Sequence, residues 1–171
     1  MAPDGRLPAS NAFKVMPHII QLEPDLFVGH QLVEADFAEL AARGFRSVVN
    51  NRPDGEVPDQ LPNRQANAAA LRYGLAFRYL PVISAKITDD EVVDEFTRLM
   101  NDLPRPVLFY CRTGTRCATL WAQVAAQRHG IAKALEIAVE AGYDLEILRE
   151  TLIEQAGARA DQPGQAAIAV A

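Results

Sequence analysis

The chain has 171 residues, of which 49% are hydrophobic and 23% are charged, and it carries a net charge of −5. This length and composition are typical of a single globular domain that buries its own hydrophobic core. The acidic balance, with no cluster of basic residues, argues against a nucleic-acid partner. No apolar run approaches the length needed to cross a bilayer, so no membrane partner is expected either.

The two cysteines and three histidines predict neither a disulfide framework nor a metal site. Cys111 and Cys117 are six positions apart, which fits no zinc motif, and no cofactor is expected. Residues 1–17 are polar and contain prolines, without the apolar core of a signal peptide. We expect this stretch to be a flexible lead-in and the protein to be cytoplasmic.

Strands and helices alternate in the first half of the chain. Apolar spacing and glycine or proline stops predict a pair of short strands, then a helix, a strand, a loop, a helix and a strand. In chain order these elements span residues 19–28, 33–43, 45–50, 51–56, 63–73 and 76–82.

The second half begins with a capping box, in which Thr88 is the expected N-cap and Glu91 reaches back to it. The helix that follows ends near Pro104. A strand and three helices are predicted next, the last one capped by Asp144, over residues 106–110, 118–128, 132–141 and 144–152. From residue 156 the chain is rich in Ala, Gly and Gln, so we expect a domain over 18–155 followed by a flexible tail over 156–171.

This alternation predicts an α/β fold with three layers, in which helices flank a central, mostly parallel sheet. In such sheets ligands bind at the carboxyl ends of the strands. Cys111 directly follows one predicted strand, and the loop 51–56 directly follows another. The sequence therefore predicts that the chemistry lies at one edge of the sheet, where these two segments meet.

The most informative segment is Cys111-Arg112-Thr113-Gly114-Thr115-Arg116, between a predicted strand and a predicted helix. The amides of such a loop and the positive end of the helix lower a thiol pKa and stabilise an anion. Gly114 lets the backbone turn with its amides inward, the threonines add hydroxyl donors, and Arg116 can donate to two oxygens of an oxyanion. The alternative is an inert, buried strand-end cysteine beside solvated arginines.

This loop resembles two known kinds of active site. In cysteine-dependent phosphatases five residues separate the cysteine from the arginine, whereas the rhodanese sulfurtransferase loop, Cys-Arg-Ser-Gly-x-Arg, has four. Four residues separate Cys111 from Arg116, so the length matches rhodanese. The chain as a whole resembles a bacterial family, the phosphatase-like domain also found fused to metallo-β-lactamase-type hydrolases, through residues 26–31, 44–56, 111–121 and 141–145.

The resemblance extends over about residues 15–155 and implies the fold of the dual-specificity phosphatases. It also implies that Cys111 is the nucleophile and Arg116 the anion clamp. Arg52 could line the anion site from the opposite loop or be an exposed turn arginine. With it, the expected substrate-binding residues are Arg112, Thr113, Gly114, Thr115 and Cys117.

Three positions depart from the phosphatase pattern. Tyr110 occupies the place of a histidine that helps to lower the thiol pKa, and Cys117 occupies the place of a Ser or Thr. The aspartate that acts as general acid would fall at residues 81–84, where none is present.

Asp54 is the candidate substitute for that acid, because its loop lies at the same edge of the sheet. The alternative is an ordinary turn aspartate before Gly55. Glu56, Asp89 and Asp90 are weaker candidates, and the last two suit the start of a helix.

Phosphate-ester hydrolysis through a phosphocysteine at Cys111 is the leading hypothesis, because the resemblance covers most of the chain. Sulfur transfer through a Cys111 persulfide follows closely, since it matches the loop length and needs no acid; Cys117 would then resolve the persulfide or simply pack. A non-catalytic anion-binding module is the third hypothesis.

The expected substrate is a small anion, either a phosphate ester or a sulfane-sulfur donor. The family's fusions point to a functional link with a metallo-β-lactamase-type hydrolase.

Four other residues are expected to have ordinary structural roles. His30 is interpreted as a solvated or hydrogen-bonded histidine and Trp121 as a core residue, while Tyr143 and Asp144 form a cap-and-turn pair.

Overall fold

The structure is a computed structural model that describes residues 17–161. Within that range the strands are β1 (Ile19–Glu23), β2 (Leu26–Gly29), β3 (Ser47–Asn50), β4 (Ala76–Tyr79) and β5 (Val107–Tyr110). The α-helices are α1 (Asp36–Ala42), α2 (Asn63–Arg72), α3 (Asp90–Asp102), α4 (Thr115–His129), α5 (Ile131–Glu140) and α6 (Arg149–Ala160). Nearly all of the predicted lead-in and the end of the predicted tail lie outside the described residues. No helix within 17–161 is both long and apolar enough to cross a membrane.

The strands form one sheet in the order β1-β2-β5-β3-β4. β1 pairs antiparallel with β2, and all the other neighbouring strands run parallel. Both β3 and β5 are buried at every position, as expected for interior strands of a parallel sheet that is covered on both faces. The predicted α/β fold with a mostly parallel sheet is confirmed.

The sheet separates two hydrophobic clusters, so the molecule has three layers. One cluster contains Phe37 and the apolar faces of α1 and α2, and the other contains Trp121 and the apolar faces of α3 to α6. Side chains alternate between the faces along β5, with Tyr110 in the first cluster and Phe109 in the second. Cys111 therefore returns to the face that α4 covers.

Several predicted helix boundaries differ from the structure. The capping box at Thr88 is wrong, because α3 begins at Asp90 and Asp89 is its N-cap, without a side-chain hydrogen bond. Thr88 lies one residue too early for its hydroxyl to reach the amides of the first turn. At the other end of the chain, α6 continues to Ala160, past residue 156 where the tail was expected to begin. Asp144 does not cap α6 but accepts the Glu146 amide of the 3₁₀ turn that precedes it.

Candidate active site

Three neighbouring strands end at the same level of the sheet. Tyr110, at the end of β5, pairs with Gly29 of β2 and with Asn50 of β3. The pairing continues one residue further, because the Asn51 amide donates to the Tyr110 carbonyl at 2.8 Å and the Cys111 amide donates to the Gly29 carbonyl at 3.3 Å. Cys111 and the loop 51–56 therefore start side by side at one edge of the sheet.

The Cys111 sulfur lies inside the loop that follows β5. The residue is only 1% exposed, and its Sγ accepts the Gly114 amide at 3.2 Å. A hydrogen bond from the Cys117 thiol, helped by the backbone amides of Cys117, Thr113 and Arg116, lowers the pKa of Cys111 to about 5 against the opposing effect of burial. Hydrogen bonds to the charged form thus outweigh desolvation, and the sulfur is a thiolate at neutral pH.

The pKa of Cys117 is shifted in the opposite direction to that of Cys111. It is fully buried on α4, and burial, together with the neighbouring Cys111 sulfur, raises its pKa well above the ordinary value. Its single proton has two acceptors, the Cys111 sulfur and Asn51 Oδ1, which lies 3.4 Å from Cys117 Sγ. Cys117 therefore stays a thiol and acts as a hydrogen-bond donor next to Cys111. The sequence predicts neither this donor role of Cys117 nor the contact that Asn51 makes with it.

The helix after the loop begins earlier than predicted. Its first residue is Thr115 rather than Ala118, and Gly114 is its N-cap with φ of 83°. This left-handed backbone conformation favours glycine. Arg116 and Cys117 consequently lie in the first turn of α4, where unpaired amides and the positive end of the helix stabilise an anion.

Arg116 is held by Glu56 from the opposite loop. Its Nη1 and Nη2 donate to the two carboxylate oxygens of Glu56 at 2.7 and 2.9 Å, and Nη1 also donates to the Val82 carbonyl at 3.0 Å. These contacts occupy the outer end of the guanidinium. Among residues 17–161, no hydrogen bond occupies Nε, so the Nε–Nη2 edge keeps donors for an oxyanion.

Arg52 is the buried member of a bridge of three charges. It is 3% exposed, so the alternative of an exposed turn arginine is wrong. Its Nε donates to Glu56 Oε2 at 2.6 Å and its Nη1 donates to Gln31 Oε1 at 3.0 Å. Hydrogen bonds from Arg116 and then Arg52 lower the pKa of Glu56 to about 2. Glu56 is therefore ionised at any working pH and unsuited to be the general acid.

Asp54 has a structural contact of its own. Its Oδ1 accepts the Asn63 amide at 2.8 Å, at the first residue of α2, and its own amide donates to the Tyr79 hydroxyl at 3.0 Å. The side chain thus caps α2 from the loop by accepting one of its unpaired first amides, which the N-cap residue Pro62 cannot do. Any role of Asp54 in proton transfer would therefore fall to its second oxygen, Oδ2.

The remaining loop residues form the exposed rim. Arg112, Thr113 and Thr115 are exposed, and the two threonine hydroxyls are hydrogen-bonded to each other at 3.0 Å, which leaves one of their two protons to donate outward to a bound anion. The Arg112 carbonyl accepts the Gln31 amide at 3.2 Å, which joins the loop to the end of β2.

Tyr110 belongs to the hydrophobic cluster on the other face of the sheet from Cys111, and its hydroxyl has no hydrogen-bond partner within the described chain.

Two aromatic residues lie closer to the site than predicted. Tyr143, expected to be a turn residue, is 7% exposed and donates from its hydroxyl to the Thr113 carbonyl at 3.2 Å. The His30 and His18 rings lie 4.3 Å apart between centroids and are tilted by 54°, and burial, followed by the charge of His18, lowers the pKa of His30. Trp121 is fully buried in the core, which confirms its expected role.

Comparison with known families agrees with this geometry. Residues 18–128 match the family described as "Beta-lactamase hydrolase-like protein, phosphatase-like domain". The chain belongs to this family. A Beta-lactamase hydrolase-like protein of Xylella fastidiosa (strain Temecula1) is 38% identical over 104 residues, which make up 61% of this chain and 24% of that protein. One from Agrobacterium fabrum is 36% identical over 102 residues, which make up 60% of this chain and 23% of that protein.

The phosphatase-like domain therefore spans about a quarter of the length of these curated relatives. Among solved structures, a Neisseria meningitidis protein named for an inferred phosphatase activity is 34% identical, with a TM-score of 0.72 over 80% of this chain and 96% of that chain. Kinase associated phosphatase is 17% identical, with a TM-score of 0.63 over 86% of this chain and 98% of that chain. The fold is thus that of the dual-specificity and tyrosine phosphatases.

Proposed function

We propose that this phosphatase-like domain is an enzyme in which the Cys111 thiolate attacks a small anionic substrate. The observation that carries the proposal is the contrast between two buried cysteines. Burial alone raises a thiol pKa, as it does for Cys117, whereas the pKa of Cys111 is lowered to about 5. A loop that ionises one buried sulfur is an arrangement for nucleophilic catalysis.

Phosphate-ester hydrolysis is the reaction that family and fold favour. The Cys111 sulfur would attack phosphorus, so that an S–P bond forms while the P–O ester bond breaks. The leaving oxygen would take a proton from an acid, for which Asp54 is the candidate. Water would then attack phosphorus, give its proton to the same carboxylate, and release inorganic phosphate and the thiolate.

Arg116 would bind the transferred group through its Nε–Nη2 edge. Glu56 holds the other end of the guanidinium and Arg52 holds Glu56, so the direction of the fork is fixed before substrate arrives. The exposed Arg112, Thr113 and Thr115 would supply outer contacts to substrate oxygens. Such preorganised donors stabilise the charge of the transition state without a cost of reorganisation during the reaction.

Sulfur transfer is a second candidate that specific observations favour. The Cys111 sulfur would attack the outer sulfur of thiosulfate, forming a persulfide and releasing sulfite, and a cyanide or thiol acceptor would then take that sulfur and restore the thiolate. This route needs no general acid, and both carboxylates of the loop 51–56 have other partners. The loop also has the rhodanese length. The buried, protonated Cys117 suits a donor to the persulfide better than a resolving nucleophile.

The relatives' longer chains and their name support one further proposal. A metallo-β-lactamase-type hydrolase, in the same chain or as a separate protein, would act on the product of this domain.

The deciding experiment incubates the protein separately with p-nitrophenyl phosphate and with thiosulfate, and measures both products and protein mass. We expect release of inorganic phosphate, or of thiocyanate on addition of cyanide, and a phosphoryl group or one sulfur atom added to Cys111. Trypsin cleaves after Arg112 and Arg116, so the two cysteines fall on separate peptides, 99–112 and 117–128, which locates the adduct.

Cys111→Ser is the matched variant, and it should lose both product and adduct. A protein that binds phosphate or sulfate but gives neither product would instead be a non-catalytic anion-binding module. An adduct that appears on peptide 117–128 alone would contradict the assignment of Cys111 as nucleophile.

A further inference from the structure

Tyr143 reaches the reactive loop from a distant part of the chain. It follows α5, lies outside the residues matched to the family, and is 30 positions from its partner in the loop. Its ring is buried, and its hydroxyl donates to the Thr113 carbonyl at 3.2 Å. A Cβ built on Gly114 would lie 2.2 Å from this hydroxyl, so the phenol occupies the space that the glycine leaves.

The Thr113 carbonyl and the Gly114 amide belong to the same peptide group. The amide points the other way and donates to the Cys111 sulfur at 3.2 Å. Because a trans peptide is planar, its C=O and N–H point in opposite directions and rotate together. A donor that fixes the carbonyl therefore also fixes the direction of the N–H, and it polarises the peptide so that the N–H becomes a stronger donor.

We propose that Tyr143 is a positioning residue, which holds the Thr113–Gly114 peptide so that the Gly114 amide stabilises the Cys111 thiolate. The inference rests on the proposed function, since it assigns a role in making the nucleophile. Within the described chain the Tyr143 hydroxyl is hydrogen-bonded to the Thr113 carbonyl and not to the Cys111 sulfur, so it acts through this single peptide.

The state of Tyr143 suits a permanent donor. Burial, helped by the negative charge of the Cys111 sulfur, raises the pKa of Tyr143 to about 12, so the hydroxyl keeps its proton at any working pH. The other titratable groups around the sulfur are Cys117 and Arg116 on α4 and His30 after β2. Within the described chain the Tyr143 hydroxyl donates to the Thr113 carbonyl and is hydrogen-bonded to none of these groups, so its removal is a single-atom test.

The test compares the pH dependence of Cys111 alkylation by iodoacetamide in the wild-type protein and in Tyr143→Phe. Phenylalanine keeps the buried ring, whose Cζ also lies beside Gly114, and loses only the hydroxyl and its hydrogen bond. We expect the pKa of Cys111 to rise by about one unit, which is a tenfold loss of thiolate at pH values below the pKa. Far-UV circular dichroism and thermal unfolding check that the variant is folded.

Tyr110→Phe is the matched control. It also removes one buried phenolic hydroxyl, immediately before Cys111, but that hydroxyl has no partner in the described part of the chain. We expect its alkylation profile to match that of the wild type. A Tyr143→Phe profile that also matches, or a loss of activity without a change in the pKa of Cys111, would overturn the inference and leave the proposed function standing. An ordinary thiol pKa in the wild type would instead defeat the proposed function itself.

Discussion

At the scale of single residues, the carboxylate of Glu56 fixes the geometry of the candidate site. Glu56 lies between Arg52 and Arg116 and accepts hydrogen bonds from both. Without it, two guanidinium groups would face each other in a partly buried position, which is unfavourable in a medium of low dielectric. The negative charge therefore makes it possible for Arg116 to keep one edge open for an anion.

Replacing Glu56 by glutamine tests this role. The amide keeps the volume of the side chain but loses the charge and the two-oxygen fork, so Arg116 should lose its fixed direction. We expect kcat/KM to fall by about 10- to 100-fold in whichever reaction the protein catalyses, as for the loss of charge-assisted hydrogen bonds of ~1.5–3 kcal/mol.

Glu136→Gln is the control for Glu56→Gln, because it breaks an exposed ion pair with Lys133 on α5, far from the loop in sequence. It should leave kcat/KM unchanged, since exposed pairs contribute little. Equal activity in Glu56→Gln and Glu136→Gln would show that Arg116 does not need its carboxylate partner.

At the scale of secondary-structure elements, one loop joins the start of α2 to the reactive edge of the sheet. Asp54 caps α2 through Oδ1, while Glu56, two residues later, holds Arg116. The helix and the Arg116 guanidinium are thus fixed by the same short segment between β3 and α2. A change in Asp54 can therefore affect stability, catalysis or both.

Two substitutions at Asp54 separate these effects. Asp54→Asn keeps an oxygen that can accept the Asn63 amide, whereas Asp54→Ala removes it and should cost about 1 kcal/mol of unfolding free energy. If the proposed acid role holds, both variants should hydrolyse an alkyl phosphate at least about 100-fold more slowly, because the poor leaving group needs a proton.

Thiocyanate formation should be the same in both Asp54 variants and the wild type, because sulfur transfer needs no acid. A wild-type rate of alkyl phosphate hydrolysis in Asp54→Asn would limit Asp54 to its capping role.

At the scale of the whole molecule, the sequence was sufficient for the fold and for the two ends of the reactive loop. Alternating strands and helices predicted the three layers, and the Cys111–Arg116 segment was visible because its parts are close in sequence. Glu56 and Tyr143 were assigned lesser roles, because they meet the loop from 60 and 30 positions away. Such contacts depend on tertiary packing, which local periodicity does not report.

The start of α4 and the start of α3 illustrate the same limit within single elements. The helix after Cys111 begins three residues earlier than its apolar spacing indicated, because Gly114 takes a left-handed conformation that no pattern of hydrophobic residues records. The Thr88 capping box had the right residue types, but the chain turned into the helix one residue later. Boundaries are decided by backbone geometry at one or two residues, whereas the existence of an element is decided by its whole apolar face.

The account as a whole depends on an ionised sulfur in the loop between β5 and α4. The most direct measurement is the rate of iodoacetamide alkylation of the wild-type protein as a function of pH, followed on the peptide 99–112. Since the thiolate is the reactive form, the rate should rise with pH, reach half of its plateau near pH 5 and be constant through neutrality. A rate that still rises between pH 8 and 9, as for an ordinary thiol of pKa about 8.5, or a Cys111 that iodoacetamide does not reach at all, would contradict it.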